Sequence, residues 1–77
     1  TFADAYYYKG YALYNLGNID LAKKSLKKAI ELSPANARYY SELAYFYQTE
    51  NNWTMSSILF LQAIEFASST SPKKYKN

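Results

Sequence analysis

The side chains that most often carry out catalysis are scarce in this 77-residue chain. It contains no histidine and no cysteine, so the commonest general base and the usual zinc ligands are missing. Four of the six carboxylates lie near the ends of predicted helices, where they suit the helix dipole or the surface: Asp4, Asp20, Glu31 and Glu65. Glu42 and Glu50 are eight residues apart on one predicted helix, too distant for an acid/base pair. Since no glycine-rich phosphate loop exists either, we expect no enzymatic activity, no metal and no cofactor.

The positive charge of the chain is concentrated at its end. The formal net charge is +3, and the three lysines within residues 73–76 account for it. The other basic and acidic side chains balance, so we expect no nucleic-acid partner for the globular part. The lysine pairs at 23–24 and 27–28 indicate a solvated outer helix face. A weak, salt-sensitive contact of the terminal lysines with a membrane or RNA is an alternative.

Tyrosine is the unusual component of the chain, with ten copies against four phenylalanines and one tryptophan. Its ring covers a large apolar area and keeps a hydroxyl for water or a partner, so it suits half-buried faces and interfaces. The hydrophobic fraction of 49% is ordinary for a globular chain. No apolar run approaches the roughly 20 residues of a membrane-spanning helix. The chain begins at Thr1 without a methionine, and we expect it to be a segment of a longer protein.

An internal repeat organises the sequence. The tripeptide Ala-Ile-Glu at residues 29–31 recurs at residues 63–65, and Tyr11 recurs as Tyr45 at the same offset. Both matches are 34 residues apart. A period of this length is typical of proteins built from stacked helical units. We therefore divide the chain into two units and a polar tail that we predict to be disordered: residues 3–36, 37–68 and 69–77.

Each unit is predicted to form two helices joined by a short turn. Gly17 suits the left-handed conformation that commonly ends a helix, and Asn51 occupies the equivalent position in the second unit. The residue before Pro34 disfavours the helical region, which ends the second helix. The predicted helices cover about residues 3–16, 19–32, 37–50 and 53–67. The fold class is therefore all-α, with two tandem helix-turn-helix hairpins.

The residue pattern of both units resembles the tetratricopeptide repeat. The second unit reads Tyr40-x2-Leu43-Ala44-x2-Tyr47 and then Ser56-x3-Phe60, and the first reads Tyr6-x2-Lys9-Gly10-x2-Leu13, Ala22-x3-Leu26 and Pro34. The resemblance implies a segment of an α–α superhelix, with close helix contacts at Gly10 and Ala44. Three positions depart from the pattern, namely Lys9, Ser56 and Ser68. Ser68 stands in place of the final proline, so we expect the last helix to run longer than its counterpart.

The resemblance also implies that the first helix of each hairpin lines a concave groove for an extended peptide or a partner helix. The residues that it assigns to partner binding are Tyr7, Tyr8, Tyr11, Tyr14, Asn15, Arg38, Ser41, Glu42, Tyr45 and Gln48. Helical spacing supports the assignment, since Tyr8, Tyr11 and Asn15 share one face. Tyr7 and Tyr11 stand where some members of the family carry the lysine and asparagine of a carboxylate clamp, so that clamp is not expected. The alternative is that the tyrosines only pack on a neighbouring repeat or on each other.

The last helix is apolar on a face that is charged in its counterpart. Leu61 corresponds to Lys27 and Ile58 to Lys24. The residues that we predict to form an exposed self-association flank are Ile58, Leu59, Leu61 and Phe66. Terminal repeats usually present a polar outer face, so this flank should be covered by further repeats or by a second copy in a homodimer.

The sequence thus predicts a module for protein–protein interaction, which binds a protein or peptide partner through its tyrosine-rich concave face. The alternative is a structural or self-association segment of a larger repeat protein without a peptide ligand.

Overall fold

The computed structural model describes residues 1–69 and consists of four helices there. They are α1 (Phe2–Asn15), α2 (Ile19–Leu32), α3 (Ala37–Thr49) and α4 (Trp53–Ser69). The part of the chain that the structure describes contains no strand, so the all-α prediction is confirmed. No helix in residues 1–69 is long and apolar enough to cross a membrane. The lysines of the predicted tail lie outside the described residues.

The helix boundaries agree with the predicted ones to within two residues. The last helix has 17 residues and α2 has 14, as expected from the absence of a proline at the end of the second unit. α4 continues through Ser69, the last described residue.

The two hairpin turns use the same backbone hydrogen bonds. In the first, the Gly17 amide donates to the Tyr14 carbonyl at 2.9 Å and the Asn18 amide donates to the Leu13 carbonyl at 2.9 Å. The amides of Asn51 and Asn52 donate to the carbonyls of Gln48 and Tyr47 in the second turn, also at 2.9 Å. This paired arrangement is the Schellman motif. It requires a left-handed residue, and the φ angles of Gly17 and Asn51 are 88° and 63°. The repeat of the sequence is therefore also a repeat of turn geometry.

The helices pack in chain order. α1 packs on α2 and α3 packs on α4, and the contact between α2 and α3 joins the two hairpins. The buried apolar residues form one cluster that runs through both hairpins: Ala3, Ala22, Leu26, Ala29, Tyr39, Tyr40, Leu43, Ala44, Phe46, Tyr47, Leu59 and Ala63. Half-buried rings such as Tyr7 and Tyr14 lie against this cluster.

Gly10 lies at a close contact between α1 and α2. A Cβ atom placed on it would overlap the Leu26 Cδ2 atom and would lie 3.0 Å from the Ala22 carbonyl oxygen. Its counterpart Ala44 is fully buried in the second hairpin. The predicted close contact at Gly10 is confirmed, and the burial of Ala44 is consistent with the prediction for the second hairpin.

α3 is buried on more sides than its apolar stripe predicts. The stripe that includes Leu43 and Tyr47 is buried, but Tyr39 and Phe46 are also 1% and 0% exposed. They are buried because α3 lies between α2 and α4 and also meets rings from α1, which pack on Tyr39 and Phe46. α3 is therefore the central helix of the described residues.

A hydrogen bond between the hairpins fixes the start of α1 against α3. The Tyr39 hydroxyl donates to the Asp4 carboxylate at 2.5 Å. This bond is the main cause that lowers the pKa of Asp4. Burial of the ring, followed by the same bond, raises the pKa of Tyr39 to about 12. The phenol therefore stays protonated and donates at all moderate pH values.

Replacement of Gly10 by leucine should destabilise the α1–α2 hairpin, because the new side chain would overlap Leu26 and the backbone of Ala22. Overpacking of this kind costs about 1–3 kcal/mol of unfolding free energy, which a shift of the urea midpoint would report. Ala12→Leu is the control, since Ala12 lies on the same helix and is exposed. Equal midpoints for the two variants would contradict the close helix contact.

Tyr39→Phe should lower the melting temperature near neutral pH, because it removes the donor to Asp4. The folded pKa of Asp4 lies below its ordinary value of 3.8. The stabilisation is therefore complete above that value and is lost as the pH falls through the folded pKa. Melting temperatures of the two proteins should differ at about pH 6 and converge towards about pH 2. Tyr8→Phe, at an exposed tyrosine, is the control; a gap independent of pH would exclude Asp4 as the acceptor.

Candidate functional site

The ten residues predicted to bind a partner all lie on α1 and α3, the first helix of each hairpin. The exposed ones are Tyr8, Tyr11, Asn15, Arg38 and Tyr45. The half-buried ones are Tyr7, Tyr14, Ser41, Glu42 and Gln48. We call the surface formed by these ten residues the tyrosine face.

Two tyrosines of this face also hold α1 against α3. The rings of Tyr7 and Tyr39 have their centres 5.4 Å apart. Tyr14 stacks on Phe46 with 4.6 Å between ring centres and an interplanar angle of 7°. Aromatic pairs at such distances stabilise packing beyond their buried area. Tyr7 and Tyr14 therefore pack between the two repeats, as the alternative interpretation predicts.

Three other tyrosines leave much of their surface open to solvent. Tyr8, Tyr11 and Tyr45 are 60%, 49% and 46% exposed. Tyr8 meets the ring of Tyr7 edge-on at 5.1 Å, and Tyr45 lies 5.7 Å from Tyr14. The neighbouring Tyr14 hydroxyl is the main cause that raises the pKa of Tyr45. The exposed rings thus continue outward from the packed ones, and the face presents aromatic area that the described residues leave uncovered.

Glu42 is the half-buried carboxylate of the tyrosine face. Burial raises its pKa. Within residues 1–69 it forms no ion pair and no hydrogen bond. Its charge reaches two of the rings, because after burial it is the next cause that raises the pKa of Tyr7, and it contributes to the raised pKa of Tyr45. A carboxylate in this position would gain from a cationic partner.

The other polar groups of the face differ in whether they are already bonded. The Arg38 guanidinium lies 5.9 Å from the ring centre of Tyr7, within the range of a cation–π contact. The Ser41 hydroxyl donates to the Arg38 carbonyl at 3.1 Å. The side-chain amides of Asn15 and Gln48 form no hydrogen bond with other residues in 1–69. These amides offer donors and acceptors to a peptide backbone.

Lys23 lies between the hairpins and not on a solvated outer face as predicted. Its ammonium donates to the Glu50 carboxylate at 2.6 Å and lies 4.5 Å from the ring centre of Tyr47. The bond to Glu50 is the main cause that raises the pKa of Lys23. No local pattern predicts this pair, because its members are 27 residues apart. The Lys23–Glu50 ion pair stabilises the contact between α2 and α3 and is not part of the tyrosine face.

Only some of the residues predicted to form the exposed flank of α4 are exposed. Leu59 is 6% exposed and belongs to the core, so its assignment to an exposed flank was wrong. It projects about 100° around the helix from Ile58, and its counterpart Ser25 is buried in the first hairpin as well. Phe66 is half-buried and stacks on Tyr40 at 4.9 Å between ring centres.

The exposed large hydrophobic residues that remain on α4 beyond its first turn are Ile58, Leu61 and Ile64, at 47%, 66% and 62%. We call these three residues the α4 patch. Ile64 was missed by the sequence analysis, although it recurs from Ile30 at the repeat offset.

An open depression of about 510 Å³ lies beside the loop between α2 and α3. Its lining residues are Ser33, Ala35, Asn36, Ala37, Arg38, Phe66 and Ala67. Arg38 is the one ionisable side chain among them, so the depression offers no acid/base pair. In the described part of the chain, no three acidic side chains come together to hold a metal ion.

Comparison with known proteins identifies the first hairpin. Residues 3–36 match the family model of the tetratricopeptide repeat. This range includes α2 and nearly all of α1, and the four helices together fit tandem repeats of this family. No curated protein matches the chain.

Proposed function

We propose that the chain binds a peptide or partner helix through its tyrosine face, because residues 3–36 match the tetratricopeptide repeat, the four helices fit tandem repeats of that family, and such repeats generally mediate protein–protein interaction. The observation that carries the proposal is the set of exposed rings of Tyr8, Tyr11 and Tyr45 on two adjacent helices. Most of the other aromatic side chains described on α1–α3 are buried or half-buried.

Tyrosines at these positions are suited to anchor a partner. Each ring offers a large contact area with few rotatable bonds, so its immobilisation on binding costs little entropy. The packing of Tyr7 and Tyr14 against α3 restricts the surface from which the exposed rings project. The free amides of Asn15 and Gln48 can pair with the backbone of an extended segment. The face thus combines aromatic anchors with polar groups, as binding surfaces commonly do.

Binding and not catalysis is the function that the side chains support. The carboxylates of Asp4 and Glu50 are engaged with Tyr39 and Lys23. Glu42 has no second titratable group in hydrogen-bond contact among residues 1–69. A general acid/base mechanism needs such groups to converge.

The α4 patch supports a second candidate function, self-association through α4. At the repeat offset, Leu61 corresponds to Lys27 and Ile64 to Ile30. On α2 these positions lie beside α3: the Lys27 ammonium is 5.9 Å from the ring centre of Tyr47. Ile30 is half-buried against the core, but Ile64 is 62% exposed. The first unit covers this surface only in part, because Ile30 is half-buried but Lys24 and Lys27, the counterparts of Ile58 and Leu61, are exposed. On α4 the same surface is apolar, so it would gain from cover by a second copy or a further repeat.

A peptide-library selection against the folded chain should enrich peptides that fail to bind a Tyr11→Ala, Tyr45→Ala variant. The reason is that both rings are about half exposed on the proposed anchor surface. Loss of two aromatic anchors should weaken binding by at least about a hundredfold. Fluorescence polarisation with the selected peptides would measure the loss.

Trp53→Ala is the control for this experiment, because Trp53 is an aromatic residue with 58% exposure on a different helix. It should leave the affinities unchanged. Equal binding of the enriched peptides to the double variant and to the original chain would refute the tyrosine face as a receptor.

Sedimentation of the chain at high micromolar concentration should show a dimer or larger species if the α4 patch self-associates. A Leu61→Lys, Ile64→Lys variant should then sediment as a monomer. Each buried side chain contributes on the order of 1.5–3 kcal/mol, so the association constant should fall by at least about a hundredfold.

Leu21→Lys, Leu32→Lys is the matched control, since these leucines of α2 are 52% and 48% exposed. The control adds the same charge and should keep the assembly. A folded monomer for the unmodified chain at that concentration would rule out self-association through the patch.

A further inference from the structure

We propose that the tyrosine face selects a partner segment that carries a basic side chain, whose cation is held between the carboxylate of Glu42 and the rings of Tyr11 and Tyr45. The inference rests on the proposed function and specifies the chemistry of the partner. Three properties of the described residues support it: the state of Glu42, the surrounding rings and the distribution of charge.

The first property is the unpaired state of Glu42. Its carboxylate is half-buried on α3, and burial raises its pKa. The other carboxylates near the helix contacts are paired, Asp4 with Tyr39 and Glu50 with Lys23. A half-buried carboxylate without a partner has lost part of its hydration and has gained no protein contact in exchange. An incoming ammonium or guanidinium group would supply that contact.

The second property is the aromatic surface beside this carboxylate. Glu42 and Tyr45 are three residues apart on α3 and therefore lie on neighbouring turns of one helix face. The Tyr45 ring lies 5.7 Å from the Tyr14 ring, and Tyr14 is three residues from Tyr11 on α1. The charge of Glu42 also contributes to the raised pKa of Tyr7 and of Tyr45. The faces of tyrosine rings attract cations, and the attraction grows where water is excluded. A cation beside Glu42 would consequently meet both a negative charge and aromatic surface.

The third property is the arrangement of positive charge. Among the described residues, the lysines lie on α1 and α2, and Arg38 is the one basic residue of the tyrosine face. Arg38 already lies over Tyr7, which shows that a ring of this face accommodates a guanidinium. It makes no ion pair with Glu42, one helical turn further along α3. The carboxylate thus remains available to a cation from the partner.

The test uses four synthetic peptide libraries that differ only at one fixed central residue: lysine, arginine, norleucine or glutamate. The folded chain should enrich the lysine and arginine libraries and not the other two. For peptides from the lysine library, Glu42→Gln should weaken binding roughly tenfold, the loss of one charge-assisted contact. The matched norleucine peptides should bind the variant and the original chain equally.

Glu31→Gln is the matched control, since it removes the same charge from an exposed carboxylate of α2, outside the tyrosine face. It should leave the affinity for lysine peptides unchanged. A loss as large as that of Glu42→Gln would overturn the proposal. Equal enrichment of the norleucine and lysine libraries would also overturn it, while the tyrosine face would remain a receptor. If no library is enriched, the proposed function fails as well.

Discussion

The aromatic contacts between α1 and α3 are the interaction on which the tyrosine face depends. Tyr7 lies on Tyr39 and Tyr14 stacks on Phe46, although the two helices belong to different hairpins. The hydrogen bond from Tyr39 to Asp4 restrains the same contact at the start of α1. Since the exposed rings project from these two helices, their mutual distance is set by the packed ones. A small domain has little core to spare, so contacts of this kind matter to its stability.

The same residue type therefore occupies buried and exposed positions on one surface. Tyr39 is fully buried and Tyr8 is 60% exposed, with half-buried rings such as Tyr7 between them. A tyrosine can occupy each of these environments because its ring packs and its hydroxyl bonds to water or to a neighbour. This gradation makes packing compatible with the proposed partner binding, because the inner rings support the outer ones.

The second helices of the two hairpins, α2 and α4, differ in how their surfaces are covered. The contact of α2 with α3 is completed by Lys23, which pairs with Glu50 and lies over Tyr47. The corresponding surface of α4 has apolar Leu61 and Ile64, and no element of residues 1–69 covers them. An apolar helix face without cover favours association with another helix. The chain thus offers two distinct surfaces, one aromatic and polar, the other aliphatic.

The sequence by itself determined the helices, their turns and the close contact at Gly10. These features follow from local chemistry: helical spacing of apolar residues, left-handed conformations at Gly17 and Asn51, and the absence of a side chain. Only the tertiary structure decided that Leu59 lies in the core, that Lys23 pairs with Glu50 and that Glu42 has no partner within the described residues. Each of these depends on which helices lie beside the residue, and a pattern along one helix does not contain that information.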